Sequence, residues 1–275
     1  MFRLFRKASL KILLFHSLFL NSAEVGKEFI DTPVKKAVTL ENFRKFIDKS
    51  LKESYIFISP DELFKKNWKL GKYILITFDD GYYNNYHALE ILREYNVPAI
   101  FFISTANVFE QKSFWWDVLF RERKRAGVSR EKIAEERQDL KKKNHEEIEK
   151  YIISAFGAEA LRPKNDIERP FTSDELRDFG RNKLVYFGNH TRHHTILTNY
   201  SHEDIRNEIL GAEEDLRGIG VAPLKILAYP NGSVSNEVIG TAREIGIELG
   251  MTAREKNNKL PLNDKTKYIL GRFSF

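Results

Sequence analysis

The sequence predicts an α/β fold of about seven parallel strands with interposed helices. Short apolar runs rich in β-branched and aromatic residues recur at 74–78, 98–104 and 184–187, as in strands buried on both faces. Stretches with helical spacing of apolar residues separate them, so strand and helix alternate, which argues for parallel pairing. Polar clusters follow two of these runs and a shorter one at 224–227. Parallel α/β folds carry their chemistry at the carboxyl ends of strands.

Taken in order, the N-terminus allows two readings. Arg3, Arg6, Lys7 and Lys11 precede a short apolar run, which suits a secretory signal. The same run, 11–15, suits a first strand ending at His16, and it is too short to span a membrane. The strand reading carries the expectation of a cytoplasmic protein. The other reading is export through an N-terminal signal cleaved near Ser22 and Ala23.

Thr39 is placed to cap a helix with Leu40, Phe43, Phe46, Ile47 and Leu51 on its apolar face. A short strand at 55–58 follows, then a short helix from Ser59-Pro60. The strand at 74–78 runs into Asp79-Asp80-Gly81. Asn84 and Asn85 are placed to cap a helix carrying Leu89, Leu92 and Tyr95.

After the strand at 98–104 the alternation breaks. Residues 113–160 exceed an ordinary connection. Their mixed charges, Glu135-Glu136 against Lys141-Lys142-Lys143, read as the solvated face of a two-helix insertion beside the strand ends. The expected organisation is one domain over 1–275 with a helical insertion at 105–170. Trp115 and Trp116 suit either stacking on a sugar ring or anchoring the insertion.

Thr172 and Ser201 are placed as caps of later helices. Strands are expected at 184–187, 224–227, 247–251 and 268–270, and a helix at 236–245.

The 275 residues, 42% hydrophobic, suffice for a barrel-sized core, and 31% charged residues argue for a soluble chain. With no cysteine there is neither a disulfide framework nor a thiolate metal site, so any metal is held by His and carboxylate. The net charge of +6 fits an anionic partner such as a membrane surface or an acidic glycan, or simply surface composition. No nucleic-acid motif accompanies it, and no partner nucleic acid is expected. The sequence gives no oligomeric state.

Thr77-Phe78-Asp79-Asp80-Gly81, His190-Thr191-Arg192-His193-His194 and Leu227-Ala228-Tyr229-Pro230-Asn231-Gly232 resemble, in order, the three motifs of the polysaccharide deacetylases that share the NodB homology domain. The resemblance runs from about residue 11 to the C-terminus. It implies an irregular (β/α) barrel and a divalent metal, zinc foremost, with cobalt, nickel, manganese or iron sharing the donor preference. It implies Asp80, His190 and His194 as metal ligands, Asp79 as general base, and the Asn231 backbone N–H as oxyanion donor. His190 to His193 is also an allowed ligand spacing; the family pattern selects His194 and leaves His193 at the rim. His87, His145 and His202 fall on expected helices away from strand ends and are read as ordinary structural residues.

The chain departs from the commonest family pattern twice. Ala228 and Tyr229 stand where many members carry an arginine that holds the base, and Arg272 is the candidate replacement. No histidine follows His202, where many members carry the general acid. His16 fits the acid position of a motif-rotated subgroup resembling the poly-N-acetylglucosamine deacetylases.

The expected function is metal-dependent removal of acetyl groups from N-acetylated sugars of a cell-surface polysaccharide or its precursor. Hydrolysis of another non-peptide amide and non-catalytic glycan binding are the alternatives. Two His and one carboxylate also suit non-haem iron oxygenases, but those sit on all-β jelly rolls and not on alternating strands and helices.

Overall fold

The structure, a computed structural model, describes residues 8–25 and 38–275. Arg3, Arg6 and Lys7 lie outside the described residues. The strands, in chain order, are β1 (Ser9–Phe15), β2 (Leu18–Phe19), β3 (Val38–Thr39), β4 (Tyr55–Phe57), β5 (Lys72–Phe78), β6 (Ala99–Ile103), β7 (Val185–Asn189), β8 (Ile226–Ala228), β9 (Leu249–Met251), β10 (Asn258–Lys259) and β11 (Phe273–Ser274). The helices are α1 (Leu40–Lys52), α2 (Ala88–Tyr95), α3 (Thr105–Glu110), α4 (Trp115–Arg125), α5 (Arg130–Leu140), α6 (His145–Phe156), α7 (Ser173–Phe179), α8 (His202–Gly218) and α9 (Asn236–Glu244).

One sheet runs in the order β10-β1-β5-β6-β7-β8-β9, with β4 added on β5 and β11 on β1. Every pair in it is parallel except β1 with β10. The C-terminal segment spans the remaining gap. Leu270 bridges Met251 of β9, and Phe273 and Ser274 then pair with Leu13 and Leu14 of β1. The result is the irregular (β/α) barrel architecture that the alternating pattern and the motif resemblance imply.

Register decides what meets at the strand ends. Phe15 pairs with Phe78 across β1 and β5, Phe78 with Phe101, and Phe101 with Phe187. The Phe15, Phe78 and Phe101 rings stack at 5.2 and 4.8 Å between centroids, a cross-strand ladder that disfavours slippage. The residues just past these phenylalanines, His16 and Asp79, therefore emerge side by side. The Asp79 amide donates to the Phe15 carbonyl at 2.9 Å. Gly188 in β7 makes room for this layer's neighbour: a Cβ there would lie 2.4 Å from the Phe102 ring.

Thr39 caps α1 by accepting from the Asn42 amide, and Thr172, Ser201 and Ser235 cap α7, α8 and α9 in the same way. Each such cap contributes roughly 1 kcal/mol. Four expectations differ. Asn84 and Asn85 do not cap α2; Asn84 Oδ1 accepts from the Leu18 amide, and Asn85 Nδ2 donates to the His16 carbonyl. Their amides are spent tying down the exit of β1. Leu51, the last expected apolar position of α1, is exposed. The segment beyond α3 holds three helices, α4 to α6, with Ser129 and Asn144 as the caps that divide them. The last strand is not 268–270; Leu270 makes only a bridge and β11 lies further on.

Helices α4 to α6 have a core of their own, built on Val118, Leu119, Phe120, Ile133, Leu140, Ile148 and Ile152. Buried Arg121 joins it to the loop before α7 through Glu168 and the Ala160 carbonyl. No helix among the described residues is long and apolar enough to cross a membrane.

Candidate active site

Asp79 and Asp80 leave β5 into a tight turn. Asp80 adopts φ 75° and Gly81 φ 92°. Left-handed backbone at a non-glycine residue is uncommon and costs on the order of 1 kcal/mol or more. It recurs at Thr191 (62°), His194 (53°) and Asn231 (58°), all at the same end of the sheet. These turns aim successive polar side chains into one cavity of about 430 Å³.

Three ligand-type atoms converge there. His190 Nε2 and His194 Nε2 stand 3.3 and 3.2 Å from Asp80 Oδ1, and the donor atoms of the three residues lie within 4.8 Å of one another. His190 Nδ1 is 2.8 Å from the Ala228 carbonyl. A carbonyl only accepts, so Nδ1 carries the proton and Nε2 faces Asp80 with its lone pair in the neutral ring. Asp80 Oδ1 is buried without a hydrogen-bond partner.

The electrostatics point the same way. Burial pushes the Asp80 carboxyl up, but His190 and His194 outweigh it and hold it well below the usual carboxylate range. Burial lowers His190, yet the carboxylates of Asp79 and Asp80 raise it overall. His194 is lowered, chiefly by burial. A buried carboxylate oxygen set between two imidazole nitrogens leaves room for one cation. A divalent ion fits it. Two nitrogens and one oxygen are the donor set of open catalytic sites, with positions left for water and substrate.

Asp79 is held differently. Arg272, 1% exposed, grips it in a two-pronged bond, Nη1 to Oδ1 at 2.6 Å and Nη2 to Oδ2 at 2.7 Å. The fork is itself fixed, with Nε on the Thr252 carbonyl at 3.0 Å and Nη1 on Thr77 Oγ1 at 3.2 Å. Burial raises the Asp79 carboxyl, and Arg272 and then His190 outweigh it, so it stays ionised and below its ordinary value. Arg272 thus reaches Asp79 from the closing segment, while Tyr229 takes the third-motif position and spends its hydroxyl on the Tyr268 carbonyl.

His16, exposed at the end of β1, lines the same cavity. Asn231 lines it from the turn after β8. His193 also lines the cavity, but it stands outside the Asp80 cluster, with its Nδ1 paired to buried Glu208 at 2.7 Å. His193, Glu208 and His145 form a second cluster of ligand-type groups. The His145 and His193 rings stack at 4.0 Å with planes 9° apart. In-plane lone pairs of parallel rings run side by side and do not converge, so this cluster fits a packed wall better than an ion site.

A family model described as polysaccharide deacetylase matches residues 66–250. The chain belongs to the polysaccharide deacetylase family. Among solved structures it is similar to the Streptococcus pyogenes deacetylase PplD in complex with acetate, at 18% identity and TM-score 0.64, covering 97% of this chain and 92% of that one. It is similar to IcaB from Ammonifex degensii at 16% identity and TM-score 0.64, covering 97% and 91%. The de-N-acetylase from Aggregatibacter actinomycetemcomitans matches at 14% identity and TM-score 0.62, covering 97% and 94%. At such identities the likeness establishes the fold. No curated protein matches the chain significantly.

The wall facing the family motifs comes from α4 to α6. Trp116 packs against the His194 ring at 4.5 Å and donates its indole N–H to the Tyr82 hydroxyl at 3.0 Å. Tyr82 in turn donates to Asp117, whose carboxyl burial raises well above its ordinary value. Trp115 and Trp116 both line the cavity. So do Arg137, Lys141, Lys143, His145 and Tyr200, none of which the sequence reading placed at the site. His145, read as an ordinary helical residue, sits at the first turn of α6 against His193. His202, read the same way, pairs with Glu244 on the surface. The one signal available for the wall was the run 141–143, which a solvated helix face explains equally well.

Proposed function

We propose that this family member is a metal-dependent hydrolase that removes acetyl groups from N-acetylated sugars of a cell-surface polysaccharide or its precursor. The observation that carries this is the pairing, in one cavity, of a carboxylate fixed by an arginine fork with an Asp-His-His cluster that has room for one cation. Binding a glycan needs no such base beside a ligand set.

Asp80, His190 and His194 would hold the ion, with zinc fitting the donors and cobalt, nickel, manganese or iron sharing them. When bound, it would polarise the acetamide carbonyl and lower the pKa of a coordinated water. Asp79 accepts the proton of the attacking water; Arg272 keeps it ionised and correctly turned. Gly232 and Pro230 hold Asn231 in its left-handed turn, which suits its backbone N–H to donate to the developing oxyanion. As the C–N bond breaks, the sugar nitrogen must gain a proton, and His16 at the cavity mouth is the donor of suitable chemistry.

Acetate release from a panel of chitooligosaccharides and of ureide-type amides tests this reading. Release from the sugars alone is expected. Turnover of the ureides alone would move the chain to hydrolysis of other amides.

A further inference from the structure

The cavity's charges are distributed unevenly. Among the described residues its lining acids are Asp79, Asp80 and Asp117. Asp79 is neutralised by Arg272, Asp80 faces two imidazoles, and Asp117 accepts from Tyr82 with its carboxyl pushed toward the neutral form. All three are buried, Asp79 and Asp80 just past β5 and Asp117 in the first turn of α4. The opposite wall carries Lys141 and Lys143, with Arg137 one turn before them. Lys142, between the two lysines, points away and pairs with Asp139.

Among the described residues, neither Lys141 nor Lys143 has a carboxylate partner. Lys141 Nζ crosses the mouth instead and donates to Asn231 Oδ1 at 2.7 Å. Its carbonyl accepts from Asn199 Nδ2 at 2.8 Å, so the α5–α6 loop is pinned on both sides of the opening. Burial and the nearby Arg137 lower the ammonium of Lys141. A half-buried ammonium satisfied by one neutral amide oxygen gains from any anion brought beside it.

We infer that the substrate of this cavity carries a negative charge, a carboxylate or a phosphate, within about one sugar of the acetylated ring, and that Lys141 and Lys143 receive it. This rests on the deacetylase reading and deepens it. A neutral homopolymer offers no counter-charge to two ammonium groups that lack a carboxylate partner. An acidic or phosphorylated glycan supplies the missing counter-charge and draws Lys141 from Asn231.

The test compares kcat/KM for acetate release from chitotetraose, a hyaluronan tetrasaccharide and N-acetylglucosamine 1-phosphate, at low and high salt. It adds calorimetric binding of the two charged probes to the Asp79→Asn chain, with and without Lys141→Met and Lys143→Met. At least one charged probe should exceed chitotetraose about tenfold in kcat/KM, through KM, and the advantage should shrink with salt. Which probe wins separates carboxylate from phosphate. In Lys143→Glu the charged-to-neutral ratio should fall to one or below, and both Met variants should weaken charged-probe binding severalfold. Equal kcat/KM for all three probes, or a preference untouched by the variants, overturns the inference while the deacetylase reading stands. No acetate from any probe defeats that reading instead. The binding arm then decides the subsite alone: binding insensitive to Lys141→Met and Lys143→Met rejects it.

Discussion

At the strand ends, each side chain proposed to do chemistry is fixed within a few residues of a paired backbone. Asp79 follows Phe78, which is registered to Phe15 and Phe101, and His190 follows Asn189, registered to Ile103. The facing wall is built otherwise. Lys141 and Lys143 hang on the α5–α6 loop and His145 opens α6, and their position depends on a separate small core and on single contacts with Asn231, Asn199 and Tyr200. The first region is rigid by register and suits chemistry that tolerates little displacement. The second can vary without disturbing the sheet and suits recognition.

That contrast is broken if the strand-end residues prove dispensable. Asp80→Ala, His190→Ala and His194→Ala should each lose the bound ion after dialysis and all detectable acetate release, since each removes one of three protein ligands. Elemental analysis decides it; an ion retained in His194→Ala would return His193 to the ligand set.

Asp79→Asn comes next. It keeps shape but cannot accept a proton, so turnover should fall about 10²–10⁴-fold with the ion retained. Near-normal turnover would remove Asp79 from the mechanism.

Arg272→Met acts on stability as well as rate. It leaves Asp79 buried and uncompensated, which costs roughly 3–5 kcal/mol. The folded carboxyl of Asp79 lies below its ordinary value. Its contribution to stability is therefore fully present above about pH 4 and is lost as pH falls through the depressed folded value. Urea unfolding at pH 7 and pH 3 should show a large gap between wild type and variant at the first and a narrower one at the second. A gap that widens on acidification would contradict the pairing.

The wall should give the smallest effect. Trp116→Phe removes one hydrogen bond to Tyr82 and some packing on His194, about 1 kcal/mol. A few-fold rise in KM with metal content unchanged sharpens the contrast; loss of the ion would mean that the wall also holds the ligands.

The same division governs what the sequence made legible. Strands β5, β6 and β7 and their polar ends could be read because apolar runs followed by clustered polar residues are local signals. Arg272 was reachable only as a replacement for an expected arginine, since nothing local says that the closing segment returns beside β5. Asn84 and Asn85 were misread because a capping residue and a residue tying two loops look identical in sequence. Lys141 and Lys143 were assigned to a solvated face because only the packing of α4 to α6 turns that loop inward.

Sugar deacetylation is expected to depend on a cation held by the Asp80, His190 and His194 cluster. The direct measurement is acetate release from chitotetraose by the wild-type chain, first stripped with a chelator and then titrated with zinc. The stripped protein should release none, and recovery should saturate at one equivalent. Full release from stripped protein, or recovery that needs no intact His190, would contradict it.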